Sequence, residues 1–213
     1  MKWLEPHLES RSHIIFDWNG TLLNDIDLCV ETINEVLDEH QKPLVTRESY
    51  RDAFRFPIID YYKTLGFDFE RQSFKEIADR FIRVYQERSL KCGLFEGTRE
   101  LLQNLRQRGL GVHLLTAARH DHVHEQLAPH NISDLFDNIC GISDHYGGGK
   151  KEIGVALLKK LACPPKEVLL IGDTDHDAEV AEVMGIDALI VADGHQPYEK
   201  LTKIHDLVLP SRF

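Results

Sequence analysis

Two clusters of carboxylates in this chain have the residue types and the setting to do chemistry. Asp17 closes the short apolar run Ile14-Ile15-Phe16, with Asn19, Gly20 and Thr21 directly after it. Far along the chain a second apolar run, Val168-Leu169-Leu170, leads into Ile171-Gly172-Asp173-Thr174-Asp175-His176-Asp177. A short apolar run ended by a polar turn signal reads as a buried strand of a parallel sheet. Ligands of open α/β sheets sit beyond the carboxyl ends of such strands, where both acidic clusters would stand. Carboxylates gathered at two strand tips suit a hard divalent cation. Mg²⁺ takes one or two carboxylates together with phosphate and water, so Mg²⁺ is the expected cofactor. Gly20 allows a tight turn or a close backbone approach to a ligand, and Thr21 adds a hydroxyl beside it.

The elements that must position these groups follow from periodicity. Asn24 is placed to cap a helix with Asp25 and Asp27 in its first turn, its apolar face carrying Ile26, Cys29, Ile33, Val36 and Leu37 to about His40. Thr46 opens a second helix closed by Pro57, and Ile58 to Leu65 forms a third, stopped by Gly66. A fourth runs from about Phe69 to Glu87, with no strand expected between residues 24 and 90. Strand and helix then alternate: helix Thr98 to Arg108, strand Gly111 to Thr116, helix Asp121 to Leu127, strand Ile139 to Ile142. Helix Lys150 to Ala162, strand Val168 to Ile171, helix His176 to Met184 and strand Ala188 to Val191 follow. This order predicts an α/β fold, a Rossmann-like, mainly parallel sheet flanked by helices with an inserted all-helical block. The expected core domain is 1–23 plus 91–213 and the helical domain 24–90, while residues 1–11 read as a loose leader.

Composition narrows the partners. The 213 residues carry a net charge of −10, which argues against nucleic acid or an anionic membrane as the main partner. The 42% hydrophobic and 28% charged fractions are ordinary for a globular chain. No run approaches the ~18 apolar residues of a spanning helix, and the first residues lack a signal-peptide core. Cys29, Cys92, Cys140 and Cys163 show no paired spacing, so buried free thiols in a reducing compartment are expected, and with them a cytoplasmic location. The chain is expected to act as a monomer or homodimer.

With both acidic segments in view, the sequence resembles the haloacid dehalogenase superfamily, in particular its phosphoglycolate-phosphatase-like branch. Four motifs carry the resemblance, in the family's order: FDWNGTL around Asp17, LLTA ending at Thr116-Ala117, the lysine of Gly149-Lys150-Lys151, and GDTDHD with Asp173 and Asp177. The resemblance implies that Asp17 is a nucleophile forming an aspartyl phosphate. It places Gly20, Thr116 and Ala117 at the phosphate, Thr116 offering a hydroxyl to a phosphate oxygen. Asp173 is implied as a direct Mg²⁺ ligand and Asp177 as an outer-shell or lysine-orienting acid. Asn19 would contribute its main-chain carbonyl to the metal, and the helical block would be a cap over the site. Lys150, first after Gly147-Gly148-Gly149, is preferred over Lys151 as the cation offsetting Asp17 and the incoming dianion. A lysine at a helix start opposes the dipole, so a compensating charge is expected.

There is one departure. Phosphatases of the family carry a second Asp two residues after the nucleophile as general acid and base, and here that position is Asn19. Its amide has no titratable proton. The expected activity is Mg²⁺-dependent hydrolysis of a small phosphorylated metabolite. Two alternatives stay open: a carbon–phosphorus or carbon–halogen hydrolase, the former needing a lysine such as Lys63 or Lys42, and a catalytically weak phosphate-binding or regulatory protein. Arg47, Arg51 and Arg55 read as a solvated helical stripe, Asp175 as a solvated turn acid, and His120, His122 and His124 as poorly spaced for metal.

Overall fold

His13–Phe16, β1, lies at the centre of a six-stranded sheet in a computed structural model that describes residues 2–143 and 149–212. Gly147 and Gly148 of the expected approach to Lys150 lie outside the described residues. The other strands are β2 (Gly111–Arg119), β3 (Asn138–Ile142), β4 (Val168–Gly172), β5 (Asp187–Val191) and β6 (Val208–Leu209). Their order is β3-β2-β1-β4-β5-β6, and every neighbouring pair is parallel. From β1 the chain builds outward through β2 and β3, then returns to place β4, β5 and β6 on the opposite side. The reversal between β1 and β4 opens a crevice at their carboxyl ends. Phe16 pairs in register with Leu114 on one side and Ile171 on the other, so Asp17, Thr116 and Asp173 end up at nearly the same height.

Alternation along β1 feeds two cores. Ile14 and Phe16 pack with Trp18, Leu102 and Val123 on one face, and Ile15 packs with Leu115, Leu170 and Val180 on the other. Each fully buried side chain of this size contributes roughly 1.5–3 kcal/mol, so the strand that ends in Asp17 is firmly fixed.

Four helices separate β1 from β2: α1 (Ile26–Glu39), α2 (Arg47–Ala53), α3 (Ile58–Thr64) and α4 (Phe74–Ser89). They share an apolar cluster of their own, including Ile33, Leu37, Tyr50, Tyr62 and Ile77. Five more helices flank the sheet: α5 (Thr98–Gln107), α6 (His120–Leu127), α7 (Lys150–Leu161), α8 (Asp175–Met184) and α9 (Tyr198–Leu201). None of the helices among the described residues is long and apolar enough to cross a membrane. The four cysteines are free.

Several expectations change. Residues 2–11 are not loose: Leu4 and Leu8 are buried, and Arg11 pairs with Asp187 and donates to the Lys166 carbonyl. Asn24 does not cap α1; the N-cap is Asp25, whose side chain makes no capping bond because it is engaged elsewhere. α4 starts at Phe74 rather than near Phe69, since the Ser73 hydroxyl accepts from the Glu76 amide and sets the first turn. α2 ends at Ala53, leaving Arg55 outside the helix, so the three arginines share no face. β6 has no counterpart among the expected strands, being two residues long and too short to show a period.

Candidate active site

Asp17 is the first residue beyond β1, its amide still on the sheet ladder through the Ile171 carbonyl at 2.9 Å. Lys150, the first residue of α7, donates from Nζ to Asp17 Oδ1 at 2.7 Å and to Asp177 Oδ1 at 2.6 Å. All three side chains are almost fully buried. Burial alone would lower the Lys150 pKa; the two carboxylates outweigh it and hold the ammonium above the ordinary lysine value. They are also the compensation a lysine at a helix start requires. Lys151 instead pairs with Glu179 on the surface at 2.8 Å.

Asp177 is the third residue of α8, and its Oδ2 accepts from the Thr174 hydroxyl at 2.7 Å and from the amides of Thr174 and Asp173. This capping box spends one oxygen on the helix start and leaves the other for Lys150. Burial works to raise Asp177, but Lys150 and these donors hold it below its usual range. Asp173 has no exposure, accepting at Oδ1 from the Thr21 hydroxyl at 2.7 Å and at Oδ2 from the His195 amide at 2.6 Å. Burial pushes Asp17 up to about 7 against the opposing charge of Lys150, with Asp177 and Asp173 adding to the rise. Asp173 is pushed to about 6, chiefly by burial.

Asp17, Asp173 and Asp177 each offer an oxygen within 4.8 Å of the others, so three carboxylates meet one ammonium. That surplus of negative charge, on oxygen donors alone, fits a hard divalent cation. Asp177 is saturated by its four donors, which leaves Asp17 and Asp173 as the carboxylates with capacity to spare. Among the described residues no donor is paired with the Asn19 carbonyl, which is also available.

Asn19 faces away from the lysine. Its Nδ2 donates to Asp25 Oδ2 at 2.9 Å and to the Tyr85 hydroxyl at 2.6 Å. Asp25 is a buried hub: it accepts from the Gly20 amide at 2.9 Å and from the Tyr85 hydroxyl at 2.6 Å, and His195 Nε2 lies 3.3 Å away. Burial would raise Asp25, but His195 and the hydroxyl and amide donors hold it down. In return Asp25 outweighs the burial of His195 and lifts it to about 9. Gly20 has φ +69°, and a Cβ there would come within 2.3 Å of Asp173 Oδ2, so only glycine fits. Arg212 fixes this turn from behind by donating to the carbonyls of Gly20 and Thr21.

Thr116 is buried at the end of β2's apolar stretch, its hydroxyl accepting from the Ala118 amide at 3.1 Å. With Ala117, Asp17, Asn19 and Lys150 it lines a cavity of about 220 Å³ that extends under α2, α3 and α4. The structure thus gathers Asp17, Asn19, Gly20, Thr116, Ala117, Lys150, Asp173 and Asp177 around one crevice. Lys63 bonds Asp60 and Lys42 bonds the Gly66 carbonyl; neither lines the cavity. Asp175 is not a solvated acid, being locked in a two-way pairing with Gln196. Arg51 is not a solvated arginine either. It donates across to the carbonyls of Ala192, Gly194 and Gln196, tying α2 to the loop after β5. His122 bonds Ser89 and Glu125, and His120 packs edge-on against His124.

Asp25, Tyr85 and His195 join the site without having been singled out by the sequence motifs. His195 carries a signal: Asp193-Gly194-His195 follows the carboxyl end of β5, the same strand-end position that marks Asp17 and Asp173. Asp25 and Tyr85 carry none, since their pairing depends on how α4 folds back over α1.

The family model of haloacid dehalogenase-like hydrolases matches residues 14–191. The chain is 25% identical over 189 residues to the tyrosine-protein kinase PtkA of Mycobacterium tuberculosis, covering 88% of itself but only 64% of that protein's length. It is 23% identical over 211 residues to the pyrophosphatase PpaX of Bacillus velezensis, covering 92% of this chain and 94% of that one. Among solved structures, a haloacid dehalogenase-like family hydrolase from Streptococcus pneumoniae superposes with a TM-score of 0.79 at 20% identity, over 93% of each chain.

Proposed function

The chain belongs to the haloacid dehalogenase-like hydrolases, and from that premise we propose that it cleaves phosphate monoesters of small metabolites by two displacements on Asp17. The observation that carries this reading is the Lys150 ammonium held 2.7 Å from the Asp17 carboxylate at the tip of the central strand. Asp17 would attack phosphorus, and Lys150 would meet the charge gathering on the phosphoryl oxygens while Asp177 holds it in place. The Thr116 hydroxyl and the backbone around Ala117 would orient the phosphoryl group, and helices α1–α4 would cover it as a cap. Mg²⁺ would be held by Asp17, Asp173 and the Asn19 carbonyl, supplying positive charge that keeps Asp17 ionised beside a dianion. Asn19 has no proton to give, so the leaving oxygen departs unassisted by that residue.

That same amide supports a second reading, in which the site binds phosphate with little turnover. Carbon–phosphorus cleavage through a lysine Schiff base is disfavoured, because among the described residues 26–89 no lysine lines the cavity. The test is phosphate release with and without Mg²⁺ in wild type and Asp17→Asn. Mg²⁺-dependent release that Asp17→Asn abolishes supports hydrolysis. Phosphate-dependent thermal stabilisation with no release supports the second reading.

A further inference from the structure

We propose that the substrates of this site are aryl phosphates, monoesters whose leaving oxygen is carried by an aromatic ring. The inference rests on the phosphatase reading above and specifies its substrate class. The cavity that starts at Asp17 and Lys150 is walled on its far side by Tyr61, Tyr62, Phe74, Ala78, Phe81 and Ile82. The charged side chains of its lining, Asp17, Asp25, Arg119, Lys150 and His195, all come from outside residues 26–89, and within 26–89 none lines it. A substrate carboxylate or second phosphate set against that aromatic wall would be desolvated with no charged partner from residues 26–89, a costly transfer. An aromatic ring would stack and meet ring edges there. About 220 Å³ is room for one or two fused rings beside a phosphate.

A second observation points to a ligand in the same place. The Tyr61 hydroxyl is buried and has no hydrogen-bond partner among the described residues. Buried polar groups are rarely left so, and a polar substituent on a bound ring would be the partner it lacks.

The third observation concerns the leaving group. Asn19 is the side chain two residues beyond the nucleophile, and its amide, engaged with Asp25 and Tyr85, has no titratable proton to give. An oxygen that leaves without a proton must be a stable anion. A phenol ionises near pH 10, whereas an alkanol resembles water, at about 15.7. In the first step an Asp17 oxygen bonds phosphorus, the phosphorus–aryl oxygen bond breaks, and its electron pair leaves on aryloxide. In the second, water bonds phosphorus, and the pair of the phosphorus–Asp17 bond returns to the carboxylate. The water's two protons leave with the released phosphate, which passes one to the aryloxide and keeps the other. The sum is one ester and one water giving one phenol and hydrogen phosphate.

The experiment compares kcat/KM, with Mg²⁺, for 2-naphthyl phosphate, octyl phosphate, pyrophosphate and acetyl phosphate, the last small but with a good leaving group. Wild type is run beside Ala78→Phe, which fills the wall, with Ile82→Phe as a second filling variant should the first not fold. The expected result is naphthyl phosphate favoured at least tenfold over acetyl phosphate and over pyrophosphate, with octyl phosphate poorest. The filling variant lowers the naphthyl-to-acetyl ratio at least tenfold. Acetyl phosphate turned over with naphthyl phosphate no better, or a ratio that Ala78→Phe and Ile82→Phe leave unmoved, overturns the aryl assignment and leaves the phosphatase reading standing. Octyl phosphate at parity with naphthyl phosphate also overturns it. No turnover of any of the four removes both.

Discussion

The Asn19 side-chain amide donates to the buried Asp25 carboxylate at 2.9 Å, which fastens the residue two places after the nucleophile to the helical side of the site. Asn19→Asp would set a second carboxylate against Asp25. Like charges at that distance raise the pKa of one partner, so the new acid keeps its proton near neutral pH. The variant should therefore protonate poor leaving groups. The expected outcome is a rise of at least tenfold in kcat/KM for octyl phosphate relative to naphthyl phosphate, at a cost of about 1–3 kcal/mol in stability from the strained hub. Intact mass of the wild type guards against deamidation at Asn19-Gly20. An unchanged ratio would show that the missing proton does not limit the chemistry.

Lys150 and Lys151 are adjacent in sequence and opposite in consequence. Lys150→Met strands Asp17 and Asp177 without their cation, and removing one partner of a buried charge cluster costs about 3–5 kcal/mol. Phosphate release should fall by about 10²–10³, the range for losing one electrostatic stabiliser. Lys151→Met removes only a surface pair with Glu179 and should shift stability by less than about 1 kcal/mol. Urea unfolding of both variants, with phosphate release, checks the contrast.

Metal binding should be linked to pH. Asp17 and Asp173 are raised from 3.8 to about 7 and about 6 in the fold. Between pH 4 and 7 these two carboxylates therefore hold protons in the folded chain that they have lost in the unfolded one, and their contribution to stability falls as pH rises through that window. Mg²⁺ at the site competes with those protons and restores what is lost. His113, pushed down to about 4 by burial and His13, works in the opposite sense, losing stability as pH falls below 6.5. The informative quantity is thus the Mg²⁺-induced change in Tm, which should grow from pH 5 to pH 7.5 and then level. Asp17→Asn should flatten it. A Mg²⁺ shift independent of pH would contradict the carboxylate assignment.

Much of the site is legible in the sequence because strand ends are legible. Asp17, Thr116 and Asp173 each terminate an apolar run, and a parallel sheet brings such ends to one edge whatever lies between them. The place after the glycines favours Lys150 over Lys151, and the ion pairs give the physical reason: the first residue of α7 points inward. The hub of Asp25, Tyr85 and His195 is not legible. In sequence Asp25 resembles any acid favouring a helix dipole, and only the crossing of α4 over α1 brings Tyr85 to it. Arg51 resembles surface charge because its partners are backbone carbonyls, which leave no trace in residue types. Leu4 and Leu8 escape notice for a similar reason, since two buried leucines in a short segment form no period.

Arg51 offers a prediction of its own. It spans from α2 to three carbonyls of the loop that carries His195. Arg51→Met leaves those acceptors short of a charged donor, worth about 1.5–3 kcal/mol, and loosens the helical block over the cavity. KM for naphthyl phosphate should rise several-fold, with kcat changed less. Hydrogen exchange should speed up in α2 before the sheet. Equal effects on KM and kcat would mean that the arginine acts on the reacting groups instead.

Everything proposed for the site depends on Asp17 carrying the phosphoryl group. The most direct measurement is acid quench of the Mg²⁺-loaded protein during turnover of naphthyl phosphate carrying a radiolabelled phosphoryl group, followed by peptide mapping. Hydroxylamine-labile label is predicted on the peptide containing Asp17, formed as fast as naphthol is released and absent from Asp17→Asn. Turnover that proceeds with no label on the protein, and that survives in Asp17→Asn, would contradict it.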